Sequence, residues 1–391
     1  MRQTFITDRL RAFACGPFTA ISGAPALVVA VQHFHASVTL KMLIATAGGL
    51  GVLVSPLAAM ASHTTGVAAS RLQAVLLLVA AGALMLVACV PGPEVFAGGM
   101  AVALVTTGAC SSLVSAYWSQ NLPPARRGVW FGHATRAEVI GCFITVLLLA
   151  LWLGPDAGGY QGFFMAIAAC LGLAAWSSYR IPSQVVVQER WNPLGCLPLL
   201  RHDPQFGRMN LAYTLTGIGS LMAGPMRAEY LASPTVGLGY RADMCQLLLM
   251  VIPTIVRMVT LPWWGRIQDR QAVERSRSMI NACWALALVC LFTPWWPVQV
   301  LGSMALGSAL AANDVMWSLW VYRYAPAGKG HDYMSVHLIL SGLRMVLGPI
   351  LGYALAAWML PQHVAWVCII IIVASSMIVT GSPRNLPKSS T

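Results

Sequence analysis

The chain is a succession of apolar stretches, each about twenty residues long and nearly free of charge, joined by short polar connections. A bilayer core about 30 Å thick is crossed by about twenty helical residues. In lipid every backbone polar group must be satisfied within its own segment, so such stretches fold as transmembrane α-helices. Composition agrees: 58% of the 391 residues are hydrophobic and only 9% are charged, whereas soluble domains carry about 25%. Twelve spans are predicted, near 14–35, 38–60, 72–91, 94–118, 129–154, 160–179, 208–226, 242–264, 278–296, 298–322, 334–359 and 362–380. Arg2, Arg9 and Arg11 before the first apolar run imitate a signal peptide. That run continues into further spans without a clear small-residue cleavage site, so we read it as a retained helix.

Charge placement orients the bundle. With the N-terminus inside, the inner connections hold 18 of the 24 Lys and Arg residues, and the outer ones hold Lys41, Arg227 and Arg241. The other three, Arg136, Arg257 and Arg344, fall within spans. This asymmetry predicts that both termini are cytoplasmic. Trp263 and Trp264 at one predicted interface, and Trp295 and Trp296 at the other, fit aromatic belts. A net charge of +12 does not indicate nucleic acid, because the basic residues sit in short loops and never interleave with aromatics on one exposed face. The ten cysteines form no C-x-x-C pair and no Cys/His cluster with metal spacing, so they are read as small packing residues and no metal is expected. No nucleotide loop, G-x-S-x-G or H-E-x-x-H is present, so neither an enzyme nor a cofactor is expected.

The chain repeats itself. Pro56, Ser70 and Arg71 align with Pro262, Ser276 and Arg277, and Trp118, Pro124 and Gly128 align with Trp320, Pro326 and Gly330, at nearly one offset. Each match falls at the same place in its own half, as expected of parallel six-helix repeats. The predicted architecture is an all-α integral membrane protein with two pseudo-symmetric six-helix bundles. Residues 1–179 form the first bundle and 180–207 a proline-containing cytoplasmic linker. Residues 208–391 form the second bundle with a short cytoplasmic tail.

Over nearly its whole length the chain resembles the major facilitator superfamily. The most specific residues are Gly265, Asp269 and Arg270 in the run GRIQDR, with Arg275 and Arg277 after it. They look like the loop motif that in this family latches the cytoplasmic side in the outward-open state. The first-half copy is degenerate, with Ala59 and His63 where glycine and aspartate belong. A run from Gly342 to Gly352 is similar to the family's G-P-x-x-G helix element, but it falls on the eleventh span. The resemblance implies a secondary active transporter working by alternating access. On the residues alone, Gly265 is expected to permit a tight turn. Asp269 is expected to approach a helix N-terminus, and the arginines to meet headgroups or acidic partners. The same arginines also read as simple topology signals.

Ionisable residues inside spans are functional candidates by default. These are Arg136 and Glu138, Arg257, Asp314 and Arg344, with Asn313 and Tyr117 as candidate cavity-lining neighbours. Arg257, Asp314 and Arg344 lie at similar depth, about 12–15 Å from the inner end, and are predicted to share one layer. Two guanidinium groups and one carboxylate leave a surplus positive charge that suits an anionic or zwitterionic organic solute. The competing reading is a purely structural Asp–Arg pair. Glu138 or Asp314 is a candidate for taking up a coupling proton. We expect a monomer in a bacterial inner membrane, with a small solute, lipid and protons as partners. The other reading of the chain is a transport-inactive sensor or membrane scaffold of the same fold.

Overall fold

Backbone groups that find no water in a bilayer must bond to one another, and the chain does so by winding into helices throughout. The computed structural model describes residues 2–121, 127–152, 159–184, 193–326 and 329–380, and among them every regular element is helical. In chain order these are α1 (Arg2–Ile21), α2 (Ala24–Gln32), α3 (Val38–Thr65), α4 (Ala69–Cys89), α5 (Pro93–Asn121), α6 (Arg127–Trp152), α7 (Tyr160–Tyr179), α8 (Leu199–His202), α9 (Pro204–Ala232), α10 (Ala242–Gln246), α11 (Ile252–Arg270), α12 (Val273–Leu291), α13 (Trp296–Tyr324), α14 (Gly330–Ala356) and α15 (Pro361–Thr380). A 3₁₀ turn spans Pro193–Cys196, and a π-helical turn, Leu247–Val251, joins α10 to α11. Arg126, Arg190, Arg384, Lys388 and the tail after residue 380 lie outside the described residues.

Three boundaries differ from expectation for identifiable reasons. The first span starts at Arg2 and is interrupted between Ile21 and Ala24, where Gly23 precedes Pro25 in the first turn of α2. Proline is favoured in the first turn of a helix, where its missing N–H costs nothing, and Pro25 takes that place after the break, whereas Pro17 is carried inside α1. The seventh span is longer than predicted. Asp203 caps it, its side chain accepting from the Phe206 amide at 3.0 Å, and it continues to Ala232. The helix of α11 runs straight through Gly265 to Arg270, so the expected turn at Gly265 is corrected: the chain turns at Gln271 and Ala272.

Nine helical stretches among the described residues are long and apolar enough to cross a membrane. The long helices α9, α12 and α13 are more polar because they keep Asn210, Thr216, Arg277, Asn281, Gln299 and Ser303 buried inside the bundle. There, neighbouring helices can satisfy such groups. Thr216 Oγ1, for instance, lies 3.0 Å from Asn281 Oδ1 and 2.8 Å from Ser375 Oγ, with its one proton shared between these two acceptors.

Packing repeats along the chain. In the first part α1 packs on α6 and α7, α3 on α5, and α4 on α5 and α7. In the second part α9 packs on α14 and α15, α11 on α13, and α12 on α13 and α15. Element for element the two patterns are the same, as the sequence repeat anticipates. The connections after α3, α5 and α7 gather with the start of α1. Ser70 donates to the Ile181 carbonyl, Asn121 to that of Pro182 and Gln3 to that of Arg180. We call this the basic end, and the opposite side the far end.

The two sets of helices meet mainly where α3 lies against α14, with smaller contacts of α2 on α9 and of α6 on α10, α11 and the π-turn. Glycines permit the closest approach. A Cβ on Gly49 would lie 2.6 Å from the Met345 backbone, and one on Gly342 3.0 Å from Leu53. At the far end Gln32 bridges the two sets, its side chain donating to the Tyr240 carbonyl at 2.6 Å. An ion pair, Lys41 Nζ to Glu229 Oε1 at 2.5 Å, bridges them as well.

Candidate functional site

Helix α11 presents Arg257 and helix α13 presents Asp314, about five turns from its start, and the tight α11–α13 packing brings them together. Arg257 Nε donates to Asp314 Oδ2 at 2.5 Å. The two side chains are 25% and 30% exposed, so the pair faces open space and is not sealed in the bundle. Across the junction, α6 places Glu138 within electrostatic range of Asp314. Glu138 Oε1 accepts from Thr19 of α1 at 2.9 Å. The arrangement is therefore two carboxylates, one from each set of helices, of which Asp314 is paired with the Arg257 guanidinium. Asn313, beside Asp314, is half-buried.

Arg344 makes no bond to this pair and has other partners. It turns into the second helix set, where Nη1 donates to the Tyr213 carbonyl at 2.9 Å and Nη2 to Ser341 Oγ at 3.0 Å. Gly217 makes room for it: a Cβ there would lie 2.3 Å from Arg344 Cδ. Asp314 thus has Arg257 as its partner, and Arg344 has neutral acceptors. Depth along a helix is readable from residue number, but the direction in which a long side chain leans is set by the neighbouring helix.

Two further candidates are placed differently from expectation. Tyr117 is fully buried, and its hydroxyl donates to Asp8 Oδ1 at 2.7 Å. Asp8 also accepts from Trp118 Nε1 at 2.9 Å and from Arg11 Nε at 2.8 Å. Arg11, read as a loop charge, is part of this buried knot at the basic end of α1. Arg136 shares an exposed stripe of α6 with Ile140, Ile144, Leu147 and Leu148. Such a stripe suits lipid, and a long Arg stem about 14 Å from the helix start can reach headgroups.

The loop motif divides. Asp269, Arg270 and Arg275 are exposed, and Asp269 makes no ion pair or hydrogen bond among the described residues. The α12 N-cap is Ala272, so Asp269 does not serve as its cap. Arg277 is instead buried at 2% exposure, with its guanidinium carbon 3.9 Å from the centroid of the Tyr213 ring. What holds the α11–α12 turn is α13: Arg323 donates to the Gln271 carbonyl at 3.0 Å and to that of Gln268, and Tyr324 donates to Glu274 Oε1 at 2.6 Å. Trp264 is buried and donates to Ser308 at 3.0 Å, while Trp263 is exposed, so only Trp263 fits an aromatic belt at that interface.

Sequence reasoning missed Asp8, Glu229 and the Arg323–Tyr324 clasp. The i,i+3 spacing of Asp8 and Arg11 is a usable signal once α1 is known to begin at Arg2. Glu229 lies beyond the predicted end of the seventh span at residue 226, which hides it. It pairs with Lys41 across the two helix sets, with Tyr353 Oη 3.5 Å away, and both line a far-end cavity of about 390 Å³. In the linker, Cys196 Sγ sits 3.7 Å from Asp332, and burial together with that carboxylate pushes its thiol pKa up.

No protein-family model matches the sequence, and no curated protein matches it. Solved structures match in fold over almost the whole chain. The nucleoside transporter NupG has a TM-score of 0.71 at 14% identity, covering 97% of this chain and 96% of that one. The POT family transporter PepTSo has a TM-score of 0.73 at 11% identity, covering 97% and 96%. A D-xylose-proton symporter has a TM-score of 0.70 at 14% identity, covering 97% of each chain. At these identities the likeness is one of fold. The helix order, the repeated packing and these matches together make the chain a multi-pass integral membrane protein with the major facilitator fold.

Proposed function

We propose that the protein is a secondary transporter that moves a small anionic or zwitterionic organic solute by alternating access between its two six-helix bundles. The matching structures, which include nucleoside and peptide transporters and a D-xylose-proton symporter, support the transporter class. The observation that carries the reading is the charged junction of Arg257, Asp314 and Glu138. Ionisable groups at membrane depth are retained for function, because each is costly there. The half-exposed Arg257 offers a fork of donors to a carboxylate or phosphate. Protonation of Asp314 would free Arg257 for that solute, which supplies a route to proton coupling. In this reading the basic end faces the cytoplasm of a bacterial cell, and the chain functions as a monomer. The contacts of Gln32 and Lys41 that bridge the two helix sets at the far end fit a conformation that opens inward, and an Asp269 latch would form in the opposite state.

The test is transport in vesicles reconstituted with the purified protein. A panel of carboxylated, zwitterionic, phosphorylated and neutral solutes is assayed for counterflow and for uptake with and without an imposed proton gradient. Saturable counterflow of an anionic or zwitterionic member, lost in Arg257→Gln, is the expected result. Movement of neutral solutes alone would overturn the substrate class, and no movement of any solute would overturn the transporter reading.

A further inference from the structure

The second helix set contains a buried group of hydrogen-bond donors that the charged junction does not use. Arg277 of α12 and Arg344 of α14 are 2% and 6% exposed. Both converge on Tyr213 of α9: Arg277 lies over its ring and Arg344 bonds to its carbonyl. Each guanidinium lies within electrostatic range of the other and of His337. Trp320 stacks on the other side of the group, its ring 4.5 Å from that of Tyr213 with 14° between planes, and the edge of His337 meets both rings.

Neither guanidinium makes an ion pair among the described residues. Arg277 Nε and Nη1 and Trp320 Nε1 are buried without a hydrogen-bond partner, while the Tyr213 hydroxyl has only the Arg277 guanidinium beside it and the His337 ring only the Trp317 backbone. Buried polar groups in native proteins almost always have one, and a group that lacks a protein partner calls for a water or an ion. Two like charges in a water-excluded space are mutually repulsive as well as desolvated, and a counter-anion between them relieves both costs. The donor set here is rich in N–H and O–H groups and contains no carboxylate. Gly217 supports the same view, since its lack of a side chain is what lets Arg344 enter the cluster.

We propose that Arg277, Arg344, Tyr213 and His337 form an anion site within the second helix set, built for a small oxyanion of the phosphate or sulfate class. Guanidinium forks match the oxygens of such an ion bidentately, and the aromatic walls exclude water and strengthen each contact. The site is separate from the Arg257–Asp314–Glu138 junction and does not depend on the transport reading. The oxyanion is either free in solution or the phosphate of a lipid headgroup.

The experiment uses the purified full-length protein in detergent at constant ionic strength. Binding of radiolabelled inorganic phosphate and sulfate is measured directly, alongside thermal stability in sulfate, phosphate and chloride. Saturable binding of about one oxyanion per chain is expected, with a rise in Tm that chloride does not reproduce. Arg277→Gln and Arg344→Gln should each weaken the apparent affinity about tenfold or more. Arg266→Gln, an exposed arginine of the same region, should leave it unchanged. If either glutamine variant fails to fold, Tyr213→Phe, which removes one donor and no charge, serves in its place and should weaken binding severalfold. Displacement of bound phosphate by phosphatidylglycerol micelles would identify a lipid headgroup as the source, and lack of displacement a free anion; both outcomes require the site. Absence of saturable binding to the parental protein, or equal binding in the parental protein and all folded variants, would overturn it.

Discussion

Removing Lys41 should open the far end. In Lys41→Met the methionine fills most of the space of the lysine stem but leaves Glu229 without its partner. The two side chains are only 13% and 6% exposed, so this is a buried pair. Breaking a buried pair by deleting one partner costs about 3–5 kcal/mol, chiefly through the stranded charge. That cost falls on the far-end-closed state alone, because opening hydrates Glu229. A shift of about 3 kcal/mol changes the opening equilibrium on the order of a hundredfold, at about 1.4 kcal/mol per factor of ten. The readout is hydrogen–deuterium exchange of the segment 233–241. There the amides of Leu238 and Tyr240 are bonded to the carbonyls of Tyr230 and Leu231 at 2.7 Å in the closed arrangement. Exchange there should accelerate strongly, while amides of α4 and α7 stay as they were. Replacing both partners, in Lys41→Met with Glu229→Gln, removes the stranded charge and should bring exchange back toward the parental rate. Unchanged exchange in the single variant would refute the latch. Equal acceleration in the single and double variants would refute the electrostatic explanation.

Four other outcomes are expected. Asp314→Asn should abolish the dependence of uptake on a proton gradient while counterflow persists in reconstituted vesicles; driven uptake at the parental rate would exclude a coupling role. Asp269→Asn should lower turnover with a stability change within about 0.5 kcal/mol, the usual range for an exposed site, and parental turnover would leave the loop as a topology signal alone. Gly217→Ala should lower Tm, because its Cβ would overlap Arg344 and cost about 1–3 kcal/mol, whereas Gly172→Ala, where nothing lies within 4 Å, should hold or raise Tm. A reporter active only outside the cytoplasm, fused after Thr391, should remain silent, and a strong signal would reverse the assigned orientation.

The apolar stretches, the basic asymmetry and the repeated Pro56/Pro262 and Arg71/Arg277 pairs were enough to read the helical membrane class and its internal repetition from the sequence. Those features are local: span length follows from bilayer thickness and helix rise, and loop charge from the cost of translocating it. The charged residues at depth were equally visible, because Arg257, Asp314, Glu138 and Arg344 stand alone among apolar neighbours. Their partners were not. Arg257 and Asp314 are 57 residues apart, and nothing in the sequence favours that pairing over Arg344 with Asp314. Arg277 and Arg344 looked like a surface charge and a solute contact, yet both turn toward Tyr213. Lys41 and Glu229 come from opposite halves and meet only through the packing of the two helix sets. Helix existence is decided within each segment by the demand that backbone groups bond internally. The choice of which charge meets which is decided by how neighbouring helices cross and where a glycine lets a side chain through, and that exists only in the packed tertiary structure.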